Sequence, residues 1–179
     1  RVRGALLDPA RNQLGLVSLG LANVINTQQA AGIDLNGNTG QPMFAVGGVQ
    51  VQQSSANTGT GSIAVTRSNV NQLTSSDYLL TKTSSGWQLT NKTSGAVVTM
   101  TGAGTVASPF QADGMSIVVS GTAATGDTFL VKPTASATAG LSVTLTDPAQ
   151  IAAASPVKAT AATTNIGSGT ISAPAIVNA

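Results

Sequence analysis

The sequence predicts an α+β protein that is mainly β, with one long N-terminal helix followed by an antiparallel β domain and a short helix. Three observations lead there. Between Asp8 and Gly32 apolar residues recur at steps of four and three, the spacing of one helix face. From about residue 47 to residue 146 the pattern changes to short β-branched or alternating runs bounded by Gly, Ser, Asp or Asn. Asp147-Pro148 then repeats the helix-start chemistry of Asp8-Pro9. These shifts divide the chain into a helical segment with linker at 1–44, a β domain at 45–146, and a short helix and linker at 147–179 leading toward a further domain. At 179 residues there is room for one ordinary domain, or for a small β domain attached to a helical piece.

Ala10, Leu14, Val17, Leu21, Val24 and Ala31 line one seam of the helix, with Gln28 interrupting the series. Asp8 suits the N-cap, and Pro9 suits the first turn, where its missing N–H costs nothing. Gly32 suits the left-handed position after the last turn. A four-three repeat is the seam of a coiled coil or bundle, so Leu14, Val17, Leu21 and Val24 are candidate helix-packing residues. No other stretch supplies a partner helix of comparable length.

Residues 32–45 are turn-rich and are expected to carry the chain from helix to β domain. Asp34, Asn36 and Asn38 imitate the first half of a calcium loop. Thr39 and Ala45 stand where such a loop needs Gly and Glu, so a structural turn is preferred. Strands are predicted at 62–66, 78–82, 87–91, 97–101, 115–120, 128–132 and 141–146. Ser84-Ser85-Gly86 and Thr93-Ser94-Gly95 should connect the second, third and fourth of these into a three-stranded unit. Gly121 to Gly126 should close a second hairpin between 115–120 and 128–132. Tyr78, Trp87, Phe110 and Phe129 are read as core anchors in preference to a sugar-binding platform, because the chain has so few aromatics. Asp147-Pro148 should start a helix over 149–154, ended by Pro156. Strands at 166–171 and 175–177, or a linker, complete the chain.

Composition argues against most chemistries. Only 8% of residues are charged and 3% aromatic, and His, Cys and Glu are absent. That removes disulfides, thiolate and imidazole metal ligands, and the usual general base near neutral pH, so no cofactor or metal is expected. The formal charge is +2, and Arg67, Lys82, Lys92, Lys132 and Lys158 are scattered singly, without the stripe that tracks a nucleic-acid backbone. No apolar run has membrane-spanning length, and neither nucleic acid nor membrane is an expected partner. No signal peptide is visible, and the abrupt start in RVRGALL reads as that of a fragment. Ser155-Pro156-Val157-Lys158 matches the tetrad of serine–lysine acyl enzymes but lacks its companion elements, so no catalytic residue is assigned. The six aspartates sit mostly before Gly or Pro or in turns, where caps explain them. Asn91-Lys92-Thr93 is a glycosylation triplet better explained as a hairpin turn.

Particular residues carry a resemblance. Ala10-Arg11-Asn12-Gln13-Leu14 opens a helix that closes through Ala22-Asn23 and Asn26, followed by Ala31-Gly32-Ile33-Asp34-Leu35-Asn36-Gly37 and Phe44. Asp113-Gly114-Met115-Ser116, Gly121, Gly126-Asp127-Thr128-Phe129, Pro133 and Asp147-Pro148-Ala149-Gln150-Ile151-Ala152-Ala153-Ala154 come in the same order. With these, the chain resembles an internal segment of the bacterial flagellar hook-associated protein 1 family, the hook-filament junction proteins. It departs from that pattern at Gln29, where a His is expected before the Ala-Gly pair. The resemblance implies a non-enzymatic structural subunit, exported, extracellular and part of the bacterial flagellum. Its implied partners are other copies of itself in a ring, the hook protein and the next hook-associated protein. It also implies that the helix belongs to an axial bundle and the β domain faces outward. The rival reading is an adhesin or phage-fibre-like β module that binds glycan or host protein.

Overall fold

The computed structural model describes residues 6–154; the strands expected at 166–171 and 175–177, the stop at Pro156 and the Ser155–Lys158 tetrad lie outside the described residues. Helix α1 spans Asp8–Ala30. Leu6 and Leu7 already form a wide helical turn, so Asp8 sits in the first turn and not before it, where its carboxylate still faces the positive end of the helix dipole. Gly32 corrects the sequence reading in the same way. It is not left-handed; it is needed because a Cβ there would overlap the carbonyl of Ala152, and its N–H closes the helix on Gln29 O at 3.1 Å.

Among the described residues ten strands follow: β1 (Phe44–Ala45), β2 (Gln50–Gln53), β3 (Ser62–Arg67), β4 (Tyr78–Thr83), β5 (Gly86–Asn91), β6 (Val97–Val98), β7 (Phe110–Ala112), β8 (Met115–Ser120), β9 (Thr128–Lys132) and β10 (Ser142–Val143). They form a five-stranded sheet in the order β2-β9-β4-β5-β6, a three-stranded sheet β3-β8-β7, and a β1–β10 pair, with antiparallel ladders in both larger sheets. The β4-β5-β6 unit forms where the turn residues placed it. Thr83 pairs with Gly86 across the Ser84-Ser85 loop, and Gly86 and Gly95 take φ of 144° and 73°.

The hairpin expected across Gly121–Gly126 does not form: β8 and β9 belong to different sheets. Two local features decide this. Asp113 (φ 44°) and Gly114 (φ 75°) make a tight two-residue turn, pairing Ala112 with Met115 and giving β8 the nearer partner β7. At the far end, Gly126 N–H donates to Lys82 O at 2.8 Å and Lys82 N–H to Asp127 O at 2.9 Å, which leads β9 onto β4. The strand expected at 97–101 is reduced to β6, with Thr101 bridging Gln111, and the one at 141–146 is reduced to β10. The short helix is corrected to one 3₁₀ turn, Pro148–Gln150. Asp147 caps it, accepting from Ala149 N–H while Gln150 Oε1 accepts from Asp147 N–H, but Ile151 is extended and Ala154 pairs with Ile33 as an isolated bridge.

Alternation fills the core. Tyr78 and Leu80 of β4, Leu89 of β5, Met115 and Ile117 of β8, and Phe129 and Val131 of β9 are fully buried. Each large apolar side chain removed from water contributes about 1.5–3 kcal/mol before entropy is counted. Of the four aromatic anchors, Tyr78 and Phe129 are central. Trp87 and Phe110 pack at the margin, Trp87 tilted 48° to Phe129 with centroids 6.0 Å apart. Contacts divide the described residues into two compact units: 6–23 with Ala45–Ser142, and Val24–Phe44 with 143–154.

Candidate functional site

The four candidate packing residues stay open to solvent: Leu14 is 56% exposed, Val17 67%, Leu21 53% and Val24 66%. Leu6 and Leu7 are exposed as well, and so is Ala10. Isolated exposed apolar residues are ordinary, but a run of them along one helical line is not.

A different line of α1 faces the chain's own β structure. Asn12, Gly15, Ser18, Leu19 and Ala22 are buried, and Leu16 and Leu19 pack with the core. At Gly15 the missing side chain admits the backbone carbonyl of Thr134, which a Cβ would overlap. Asn12 Nδ2 donates to Asp77 Oδ1 at 2.9 Å, and Ser18 and Thr138 share a hydroxyl hydrogen bond at 3.0 Å. This second line explains why the seam is free: one side of the helix is already occupied.

Within the second compact unit, two α1 residues organise loops that sequence reasoning assigned no role. Asn26 accepts the N–H groups of Met43 and Phe44 at 2.8 and 2.9 Å and donates to Phe44 O at 2.8 Å. Buried Gln29 donates to Gln150 O at 2.7 Å and accepts from Ala152 N–H at 3.2 Å. Each carboxamide thus meets the donor and acceptor needs of a passing backbone, which an imidazole in one tautomer meets with different geometry. The signal for them was polar residues at helical spacing away from the seam.

The aspartates are largely committed to local structure. Asp34 Oδ1 accepts from Asn36 and Asn38 N–H at 2.9 and 2.8 Å, as a turn does. Buried Asp127 accepts from Thr58, Gly59 and Ala124 N–H at 2.8, 3.1 and 2.9 Å. The Thr58 bond leads in holding its carboxyl below the usual carboxylate range, and the bonds from Ala124 and Gly59 add to it against the opposing effect of burial. The Tyr78 phenol donates to Asp113 Oδ2 at 2.7 Å, and Thr74 Oγ1 lies 2.8 Å from the phenol oxygen. Asp77 pairs with Lys132 at 3.5 Å. A polar cleft of about 540 Å³ beside this pair is lined by Asp8, Asn12, Asp77, Lys92, Leu130 and Lys132, among others. Among the described residues no three His, Cys, Asp or Glu side chains are grouped to hold a metal, and no helix is long and apolar enough to cross a membrane.

Comparison with known proteins gives a consistent answer. A family model described as flagellar hook-associated protein 1, D2-like domain, matches residues 52–133, and one described as flagellar hook-associated protein FlgK helical domain matches residues 1–44. Flagellar hook-associated protein 1 of Escherichia coli (strain K12) is 36% identical over 149 residues, which are 83% of this chain and 27% of that protein. The protein of the same name from Salmonella typhimurium is 30% identical over 154 residues, 85% of this chain and 27% of its own length. The solved flagellar hook junction protein FlgK from Burkholderia pseudomallei superposes with a TM-score of 0.78 at 37% identity, covering 93% of this chain and 30% of that one. The chain therefore spans 27% of the length of these curated relatives. Agreement in sequence, in the order of the two matched domains and in fold leads to one conclusion: the chain belongs to the flagellar hook-associated protein 1 family.

Proposed function

We propose that the chain is part of a non-enzymatic structural subunit that joins hook to filament in the bacterial flagellum, exported and extracellular. In this reading residues 1–44 belong to an axial bundle, 45–146 form an outer β domain, and 147–179 lead toward a further domain. The partners are other copies of the subunit in a ring, the hook protein and the next hook-associated protein. Leu14, Val17, Leu21 and Val24 are the contact residues. The observation that carries this is the exposed seam on a helix whose other side already packs. Helices beyond the described residues, from the same subunit or a neighbour, would cover it in a four-three packing. The family membership supports the setting.

The test uses Leu14→Asp and Leu21→Asp in the full-length protein. Both positions are exposed in the chain itself, so circular dichroism of the isolated chain should not change. In the assembled state a carboxylate in a covered apolar seam costs several kcal/mol, and swimming should be lost. Normal motility of both variants would rule out an axial role for the seam.

A further inference from the structure

Asn36-Gly37 is the chain's only Asn-Gly step, and it lies at the open end of the turn that Asp34 ties together. Asn36 is exposed, and its carboxamide has no hydrogen-bond partner among the described residues. Asn12, Asn26, Asn57, Asn69 and Asn91 all use their side-chain amides in hydrogen bonds. Gly37 sits at φ 80° with nothing within 4 Å of where a Cβ would stand. Water and the flanking backbone both have access to the Asn36 side chain, and glycine places no side chain in the way of its own nitrogen.

We propose that Asn36 is a site of spontaneous deamidation whose rate is governed by the Asp34 turn. The Gly37 backbone nitrogen attacks Asn36 Cγ, a C–N bond closes a five-membered succinimide, and the side-chain nitrogen leaves as ammonia with the proton that Gly37 loses. Solvent water then opens the ring at either carbonyl, leaving aspartate or isoaspartate at position 36. No oxidant or cofactor is needed. The native turn opposes the first step. Gly37 N–H donates to Asp34 O at 3.1 Å, and Asp34 Oδ1 holds the N–H groups of Asn36 and Asn38. The attacking nitrogen is therefore engaged until the turn opens, so the modification reports local opening. The product adds a negative charge two residues from Asp34 in a chain with only six acidic groups. Isoaspartate also lengthens the backbone beside Leu35, whose N–H is bonded to Ala149 O at 3.0 Å.

The experiment is timed incubation of the whole chain at mildly alkaline pH, in buffer and in urea. Peptide mapping by mass spectrometry follows, with fragmentation that separates isoaspartate from aspartate. Asn36 should be the fastest asparagine to convert. Conversion in urea should exceed that in buffer by at least about tenfold, the factor set by an opening free energy of about 1.4 kcal/mol. Asp34→Ala should raise the rate in buffer toward the urea rate, and Gly37→Ala should slow both. The proposal fails if Asn38 or Asn71 converts as fast as Asn36, or if Asp34→Ala in buffer matches wild type. Should Asp34→Ala perturb the surrounding fold, the wild-type ratio decides alone, and a ratio near one overturns the proposal.

Discussion

Tyr78 is the chain's one tyrosine, and it is fully buried with its phenol between Thr74 and Asp113. Burial is the main reason that its ionisation is pushed well above the ordinary value near 10. The Asp113 hydrogen bond and charge act in the same direction, against a smaller lowering by Thr74. A group whose folded pKa is raised contributes stability that is complete below its unfolded pKa and is lost as pH rises above it. Near-ultraviolet absorbance should therefore show no phenolate through pH 10, and the signal should appear together with loss of β-sheet circular dichroism. A separate, earlier titration would contradict the burial. The neighbourhood of Tyr78 was only half legible. An aromatic in an alternating run announces a core residue, but its pairing with Asp113 depends on a tight turn in the other sheet, 35 residues away in sequence. Asn26 and Gln29 were harder still, because a carboxamide that serves a distant backbone looks like any surface polar residue until the loops are placed.

At the scale of elements, α1 contains two glycines that sequence alone does not distinguish. Gly15 faces the Thr134 carbonyl with no room for a Cβ, whereas Gly20 has nothing within 4 Å. Gly15→Ala gains about 1 kcal/mol of helix propensity but forces backbone apart, which typically costs about 1–3 kcal/mol. Its net effect should be destabilising, while Gly20→Ala should stabilise by about 0.5–1 kcal/mol. Urea unfolding midpoints of the two variants should move in opposite directions, and a shared direction would refute the close approach. The strands β3, β4, β5, β8 and β9 were legible because five or more residues alternate or are β-branched. β1, β2 and β7 were not, since two to four residues carry too little pattern, while β6 and β10 were expected longer than they are. Pairing was the weaker inference. Nearness in sequence favoured β8 with β9, and the hydrogen bonds around Lys82 and the Asp113-Gly114 turn decided otherwise.

On the scale of the whole molecule, the exposed seam should make the isolated chain associate with itself. Sedimentation velocity should show a concentration-dependent shift. A variant with Leu14, Val17, Leu21 and Val24 all changed to Gln should sediment as a monomer, with an unchanged melting temperature, because Gln keeps helix propensity and none of the four is in the core. A wild-type chain that stays monomeric at high concentration would weaken the seam as a docking line. The exposed line was legible because its period is set by the helix, whereas side chains that face solvent carry no record of what they pack against.

The pairing of β2 with β9 and of β3 with β8 has a kinetic side. Gln53 must wait for Phe129 and Ser62 for Ser120 before either ladder can close, so β2 and β3 stay unpaired until the later strands are available. Among the described strands, the β4-β5-β6 meander alone can pair without them. Cooperative closure is thus deferred to the arrival of residues 115–132, and until then both larger sheets lack the strands that join their edges.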